Sequence, residues 1–296
     1  MKKNGHRRGC QMYKCHVCGR QFQGGRQIDD KSCWASYVNG KLTYKELAAM
    51  YGCSARTISR RISKVTSEFV PAYPKEAVVI MDTTYFGRKF GVMLFQDAGS
   101  GRILYRKYVR NETNEGYMSG LQILKDHGVD IKAVVCDGRV GLLEGIIGIP
   151  AQMCQFHQLQ IIRRTLTRNP QLLAGCELLS LCLTIKSSTK AEFSRLFDEW
   201  CGKWKDFLDE RTALVSGKTT YTHRRLRSAR KMIAKHLPWL FTYEEYPDYD
   251  IPNTSNKLEG TNSEMKRRLH SHNGLTEQNK KKFIDEFLKT WEKRSQ

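Results

Sequence analysis

Two short apolar runs in this sequence each end on an aspartate. Ala77-Val78-Val79-Ile80-Met81 leads into Asp82, and Ile131 to Cys136 leads into Asp137. The first is a continuous apolar run, the pattern of a strand buried on both faces, and the second, broken only by Lys132, reads as another buried strand, so placing the two side by side would pair their carboxylates. Carboxylate oxygens are hard ligands that suit Mg²⁺, an ion that keeps waters and accepts phosphate oxygens as further ligands. Two such ions about 4 Å apart can activate an attacking oxygen and stabilise a leaving one in phosphoryl transfer. A third carboxylate would complete the pocket. The candidate is Glu259, in Asn256-Lys257-Leu258-Glu259-Gly260-Thr261-Asn262. Each aspartate alone also suits a turn or a helix start, and Asn256 with Glu259 three residues on also reads as a capping-box-like pair. Composition and periodicity leave both readings open. Cys15-His16-Val17-Cys18 is half of a zinc-ribbon knuckle, two thiolates able to share one tetrahedral Zn²⁺. The other half is missing, because Cys10 and His6 are not spaced as a second Cys-x-x-Cys; two reduced thiols of a degenerate ribbon are the alternative.

The elements that must position these residues are legible in the same pattern. Phe90 to Phe95 and Ile103 to Val109 read as strands joined by a turn at Ala98-Gly99-Ser100-Gly101, making an antiparallel meander with the run before Asp82. Glu115 to His127, with Gly128 as its stop, reads as a helix ahead of the second buried strand. A helix over Gly141 to Ile147, a short strand near Ile149 to Cys154 and a longer helix from about His157 continue the alternation, which implies a mixed sheet covered by helices. Leu172 to about His236 reads as nearly all helical, an insertion at about 170–240. Helices around Leu258 to Leu269 and Glu277 to Trp291 close the chain.

The 296 residues allow about two domains. Fifty Lys and Arg against thirty Asp and Glu leave a net charge of +20, which points to a polyanionic partner. No apolar run approaches the roughly 20 residues of a membrane span and no secretory signal follows the basic start, so the expected location is the cytoplasm, with no membrane partner. The charge is uneven: residues 1–70 carry fourteen Lys and Arg against four acids. Within them Thr43 and Glu46 form a capping box, Gly52-Cys53 makes a turn, and Ser54 can cap a second helix from Ala55 to Val65. On that second helix Arg56, Arg60 and Lys64, with Arg61 beside them, oppose Ile58, Ile62 and Val65. This is the arrangement of a helix-turn-helix whose second helix enters a DNA major groove; a solvated basic hairpin is the alternative. Pro71-Ala72-Tyr73-Pro74 then stiffens the chain and marks a boundary.

Strand-borne Asp82 and Asp137, then Cys154-Gln155-Phe156-His157, a helical insertion, and Asn256 to Glu259 followed by Lys266-Arg267-Arg268 resemble prokaryotic insertion-sequence transposases with a Mutator-like (MULE) catalytic domain. The resemblance covers about residues 75–275. It implies an α/β fold, a ribonuclease H-like mixed sheet with an α-helical insertion, and an Asp-Asp-Glu triad of Asp82, Asp137 and Glu259 holding Mg²⁺ or Mn²⁺. Cys154 and His157 match the family's Cys-x-x-His signature. A partial zinc ribbon (1–28) and a helix-turn-helix (29–70) would precede the catalytic domain, and a C-terminal helix (276–296) would follow it. The implied partner is double-stranded DNA, at element ends and target, with the chain associated with the nucleoid and at least dimeric in the DNA complex. Arg224 and Arg225 in the basic run Lys218 to Lys235, and Lys266 and Arg267 after Glu259, are further candidates for DNA contact. A non-catalytic DNA-binding regulator, or the product of a decayed element, is the competing reading.

Overall fold

The computed structural model describes residues 1–8, 10–23, 28–272 and 274–291. It divides into two compact units, one of residues 1–69 with 267–290 and one built on residues 70–266.

The first unit opens with an antiparallel sheet of β1 (Lys2–Arg7), β2 (Cys10–Lys14) and β3 (Gln21–Gln23), in that order. Three helices follow: α1 (Asp30–Val38), α2 (Tyr44–Tyr51) and α3 (Ala55–Lys64). The expected caps are present. Thr43 and Glu46 exchange both capping-box hydrogen bonds, Gly52 closes α2 in the left-handed region at φ 61°, and the Ser54 hydroxyl accepts from Thr57 N–H. Helix α1 goes beyond the two helices the sequence pattern predicts; Asp29 caps it, and Cys33, Trp34, Tyr37 and Val38 bury one side.

The second unit is a mixed α/β fold around a five-stranded sheet. Strand β4 (Glu76–Phe86) forms a meander with β5 (Phe90–Asp97) and β6 (Ile103–Val109), and α4 (Asn114–Asp126) then crosses to β7 (Asp130–Cys136). A short α5 (Leu142–Gly145) precedes β8 (Ala151–Met153). The sheet order is β6-β5-β4-β7-β8, with the meander antiparallel and β7 and β8 parallel to β4. Burial on both faces explains the continuous apolar run in β4, where Ala77 to Met81 are all buried. Gly120 of α4 lets that helix lie directly on the sheet: a Cβ there would stand 2.1 Å from the Phe95 ring.

Helices α6 (Gln155–Leu166), α7 (Leu173–Leu183), α8 (Lys190–Lys203) and α9 (Lys205–Asp209) continue the chain, and their apolar faces extend the core through Ile162, Leu178, Phe193 and Trp200. The insertion is not wholly helical. A hairpin of β9 (Arg211–Ala213) and β10 (Thr219–Tyr221) interrupts it, because Thr212, Thr219 and Thr220 favour extended backbone and Gly217, at φ 77°, makes the turn. The basic run is thereby split between this hairpin and α10 (Arg224–Leu240). After α11 (Thr242–Glu245) the chain enters α12 (Asn256–His270).

The last helix, α13 (Glu277–Trp291), belongs through Thr290 to the first unit, so residues 276–290 do not stand apart as the sequence suggested. Phe283 packs edge-on against Trp34 and Tyr37, and Lys282 Nζ lies 4.6 Å from the Trp34 ring centre. The second unit runs from Val70 to Lys266.

Candidate active site

Strands β4 and β7 run parallel with Ile80 opposite Val135, and the same register carried two residues further sets Asp82 beside Asp137. Helix α12 approaches this strand end. Its Asn262 side chain donates to Asp82 Oδ2 at 2.8 Å, and Glu259 lies one helical turn earlier. Helix α12 begins at Asn256, so Asn256 does not cap Glu259; instead Ser255, just before the helix, donates its hydroxyl to Glu259 Oε1 at 2.8 Å. Glu259 also faces His157, with Nε2 to Oε1 at 3.8 Å. The structure therefore sets Asp82 and Asp137 side by side on the two neighbouring interior strands β4 and β7, with His157 beside Asp82 and Glu259.

The electrostatics follow from crowding. Burial raises the Asp82 carboxyl to about 6, with the neighbouring Asp137 charge adding to the rise and His157 opposing it. Burial would lower His157, but the hydrogen bond and charge of Cys154, then the charges of Glu259 and Asp82, raise it to about 9. Burial would likewise raise the Cys154 thiol, yet hydrogen bonds from His157 and Ser255 outweigh it and bring the thiol below its ordinary value. Cys154 precedes α6 at the end of β8, and His157 is in the first turn of that helix, so the Cys-x-x-His spacing places both side chains at the site.

Three contributors lie outside the residues that the sequence pattern singles out. Glu112, in the loop before α4, adds a negative charge near Asp82 and accepts from the buried Tyr117 hydroxyl at 2.6 Å. Arg139 ties the Asp137 loop down: its backbone N–H donates to Asp137 Oδ1, and its guanidinium reaches Asn114 Oδ1 and the Glu112 carbonyl, each at 2.8 Å. Asn262 is the third; its place three residues after Glu259 is the signal that could have found it.

No protein-family model matches the chain, and no curated protein does. Among solved structures, a chain of the simian T-cell lymphotropic virus intasome in complex with PP2A regulatory subunit B56 gamma is similar over 68% of this chain and 68% of its own length. The identity is 9% and the TM-score 0.22, a likeness that carries no argument about fold or chemistry.

The other candidate residues are placed as follows. Cys15 and Cys18 occupy the turn between β2 and β3, closed by Cys15 N–H to the Arg20 carbonyl and Gly19 N–H to the Cys15 carbonyl. Hydrogen bonds from the backbone at Cys18 and Val17 lower the Cys15 thiol. Among the described residues no third metal-ligating side chain joins the pair. On α3, Arg56, Arg60 and Lys64 are exposed as expected. Arg61 departs from that expectation: it bonds Asp30 Oδ1 at 2.8 Å and the Ile28 carbonyl at 3.2 Å, fastening α3 to the start of α1. Both partners are more than a third exposed, so Arg61→Ala should lower stability only slightly, as measured by chemical denaturation.

Arg224 and Arg225 are exposed on the first turn of α10. Arg224 lines a cavity of about 670 Å³ with Arg230, Lys231, Tyr221 and Asp198. Arg227 faces inward, over the Tyr221 ring and bonded to Asp209. Lys266 and Arg267 are exposed, Lys266 at the end of the second unit and Arg267 within the first. A second cavity, of about 850 Å³, is lined by residues near the start of β4 and of α12 and contains none of the candidate catalytic side chains. No helix among the described residues is long and apolar enough to cross a membrane.

Proposed function

We propose that the chain is a DNA transposase of the Asp-Asp-Glu kind, with residues 70–266 as a ribonuclease H-like catalytic unit. The observation that carries this reading is the meeting of Asp82, within β4, and Asp137, just past β7, with α12, whose Asn262 binds Asp82 and whose Glu259, one turn earlier, faces His157. The sheet supports it as well: a meander followed by two parallel strands, with an insertion between the second and third carboxylates, is the arrangement the family resemblance implies.

The site's residues fit a hard divalent cation. Asp82 and Asp137 offer oxygen alone, and a cation would offset the burial that chiefly raises Asp82 as well as the smaller repulsion from Asp137. Among the described residues the buried Asn262 Oδ1 has no hydrogen-bond partner, so a further hard oxygen is available on the side chain that holds Asp82. Asp82, Asp137 and Glu259 would hold Mg²⁺ or Mn²⁺, which when bound supplies charge to stabilise the attacking and leaving oxygens of a phosphodiester. Asn262 orients Asp82 and Arg139 holds the Asp137 loop in place, while protonated His157 offers a proton donor beside Glu259. Water attacking the phosphodiester at an element end frees a 3′-hydroxyl, which then attacks a target strand at the same site. Two ends must be held together for this, so at least a dimer assembles on DNA.

Incubated with DNA carrying the sequences that flank its own gene, the purified chain should nick the ends and join them to target DNA in Mg²⁺ or Mn²⁺. It should do neither in EDTA. Sequence-specific end binding without any metal-dependent cleavage would overturn the proposal and favour the regulator. The exposed stripe on α3 gives a second expectation. Replacing Arg56, Arg60 or Lys64 singly with Ala should weaken end binding and flatten the slope of log K against log salt by about 1 for each phosphate that is no longer neutralised. Titrations at several salt concentrations measure that slope, and slopes equal to wild type would remove α3 from the interface.

A further inference from the structure

The Cys154 and His157 pair has no part in the cleavage chemistry just described, yet it shares Glu259 with it. Cys154 Sγ, a His157 ring nitrogen and a Glu259 carboxylate oxygen all lie within 4.8 Å of one another. Among the described residues this is the one set of three metal-ligating side chains gathered so closely. The donors arrive from separate elements: Cys154 from the end of β8, His157 from the first turn of α6, Glu259 from the first turns of α12. Their chemistry differs from that of Asp82 and Asp137. A thiolate, an imidazole and a carboxylate together suit a borderline-soft ion, whereas Mg²⁺ prefers oxygen throughout.

The spacing is close to what such an ion needs. Bonds of about 2.0–2.3 Å in a tetrahedron set donors about 3.5 Å apart, and His157 Nε2 is already 3.8 Å from Glu259 Oε1. A supporting hydrogen-bond layer is also in place. The Ser255 hydroxyl lies 3.2 Å from Cys154 Sγ and 2.8 Å from Glu259 Oε1, and the Ser255 N–H points to Cys154 Sγ at 3.3 Å. One residue thus orients two of the three ligands, the role outer partners play in metal sites. With three protein donors the fourth position is left to water, the open form of a zinc site.

We propose that Cys154, His157 and Glu259 form a binding site for Zn²⁺ or a similar borderline-soft divalent ion, and that filling it withdraws Glu259 from Asp82 and Asp137 and stops cleavage. The ion takes the Cys154 sulfur as thiolate and the His157 ring as neutral imidazole, and the protons that these two groups give up go to solvent. The inhibitory half rests on the proposed function; the binding half stands without it.

The test uses the full chain with Cys15→Ser and Cys18→Ser, so that the N-terminal thiols contribute nothing, titrated with Co²⁺ in a non-thiol reductant. A thiolate-to-cobalt charge-transfer band should grow to saturation at about one equivalent and disappear when Zn²⁺ is added. Cys154→Ser should abolish the band, and His157→Gln should weaken or abolish it. Ser255→Ala, which keeps every ligand, should weaken binding by about 10–100-fold; this variant decides the matter if a ligand substitution lowers the thermal transition. No band in the parent, or a band that survives Cys154→Ser in folded protein, overturns the site. In Mg²⁺-supported cleavage, with each protein normalised to its own zinc-free rate, stoichiometric Zn²⁺ should stop the parent. Cys154→Ser should need at least about tenfold more, in line with the loss of a ligand. Full cleavage with the site filled overturns the inhibitory half. A cobalt band in a chain that never cleaves DNA with any metal overturns the transposase reading and leaves the zinc site standing.

Discussion

Asp82→Asn should lower metal-dependent cleavage of end DNA by about 10²–10³-fold or more, the scale on which removing one charge-stabilising group slows an enzyme, while end binding persists. The substitution keeps the shape of the side chain and removes its charge. Asp82 is the most embedded of the acidic partners, raised to about 6 by burial and by Asp137, and fixed by the Asn262 amide. A neutral amide in its place removes a hard ligand from the pocket and leaves Asn262 Nδ2 facing a group that can itself donate. Single-turnover assays on labelled ends measure the effect, with an electrophoretic binding assay run beside them. If Asp82→Asn, Asp137→Asn and Glu259→Gln all cut like wild type, the carboxylates have no catalytic part.

Gly120→Ala should be the most damaging single methyl in the second unit. The new Cβ would meet three atoms of the Phe95 ring at 2.1–2.8 Å. Phe95 is fully buried between Tyr105 and Tyr117, so its ring cannot swing away cheaply. Overpacking typically costs about 1–3 kcal/mol, and contacts this short belong at the upper end, which in a unit of this size lowers Tm by about 6–12 °C. Calorimetry on wild type and variant checks the figure. The injury also reaches the site, because the Tyr117 hydroxyl hydrogen-bonds both Thr83 and Glu112. A variant melting within a degree of wild type would show that α4 can lift from the sheet.

What the sequence revealed depended on how local each determinant was. The run before Asp82 is continuous, and the one before Asp137 is broken only by Lys132, because both strands are largely covered on both faces, so they are readable without knowing their neighbours. The capping box at Thr43 and Glu46 and the stop at Gly128 are equally local. Glu112 is hidden, since a loop acid matters only through the Tyr117 and Arg139 side chains that reach it. Arg61 looks like its neighbours on α3, and only the position of Asp30, thirty-one residues earlier, separates it from the exposed stripe. The β9 and β10 hairpin is obscured by the helical spacing on either side. Glu259 can be chosen as the third carboxylate, but its tie to Ser255 cannot, because the start of α12 lies one residue away from where Asn256 suggested.

The placement of α13 bears on the order in which the chain can mature on the ribosome. Phe283 fills the space against Trp34 and Tyr37, and Thr290 bonds Asn39. The first helices to emerge therefore lack part of their core until α13 has been made, while residues 70–266 contain all that their sheet requires. A premature stop before residue 277 would release a chain with its carboxylates intact and its N-terminal helices incompletely packed. Truncation from the carboxyl end should for that reason loosen the N-terminal helices before it disturbs the carboxylate pocket, reversing what linear order along the chain would suggest.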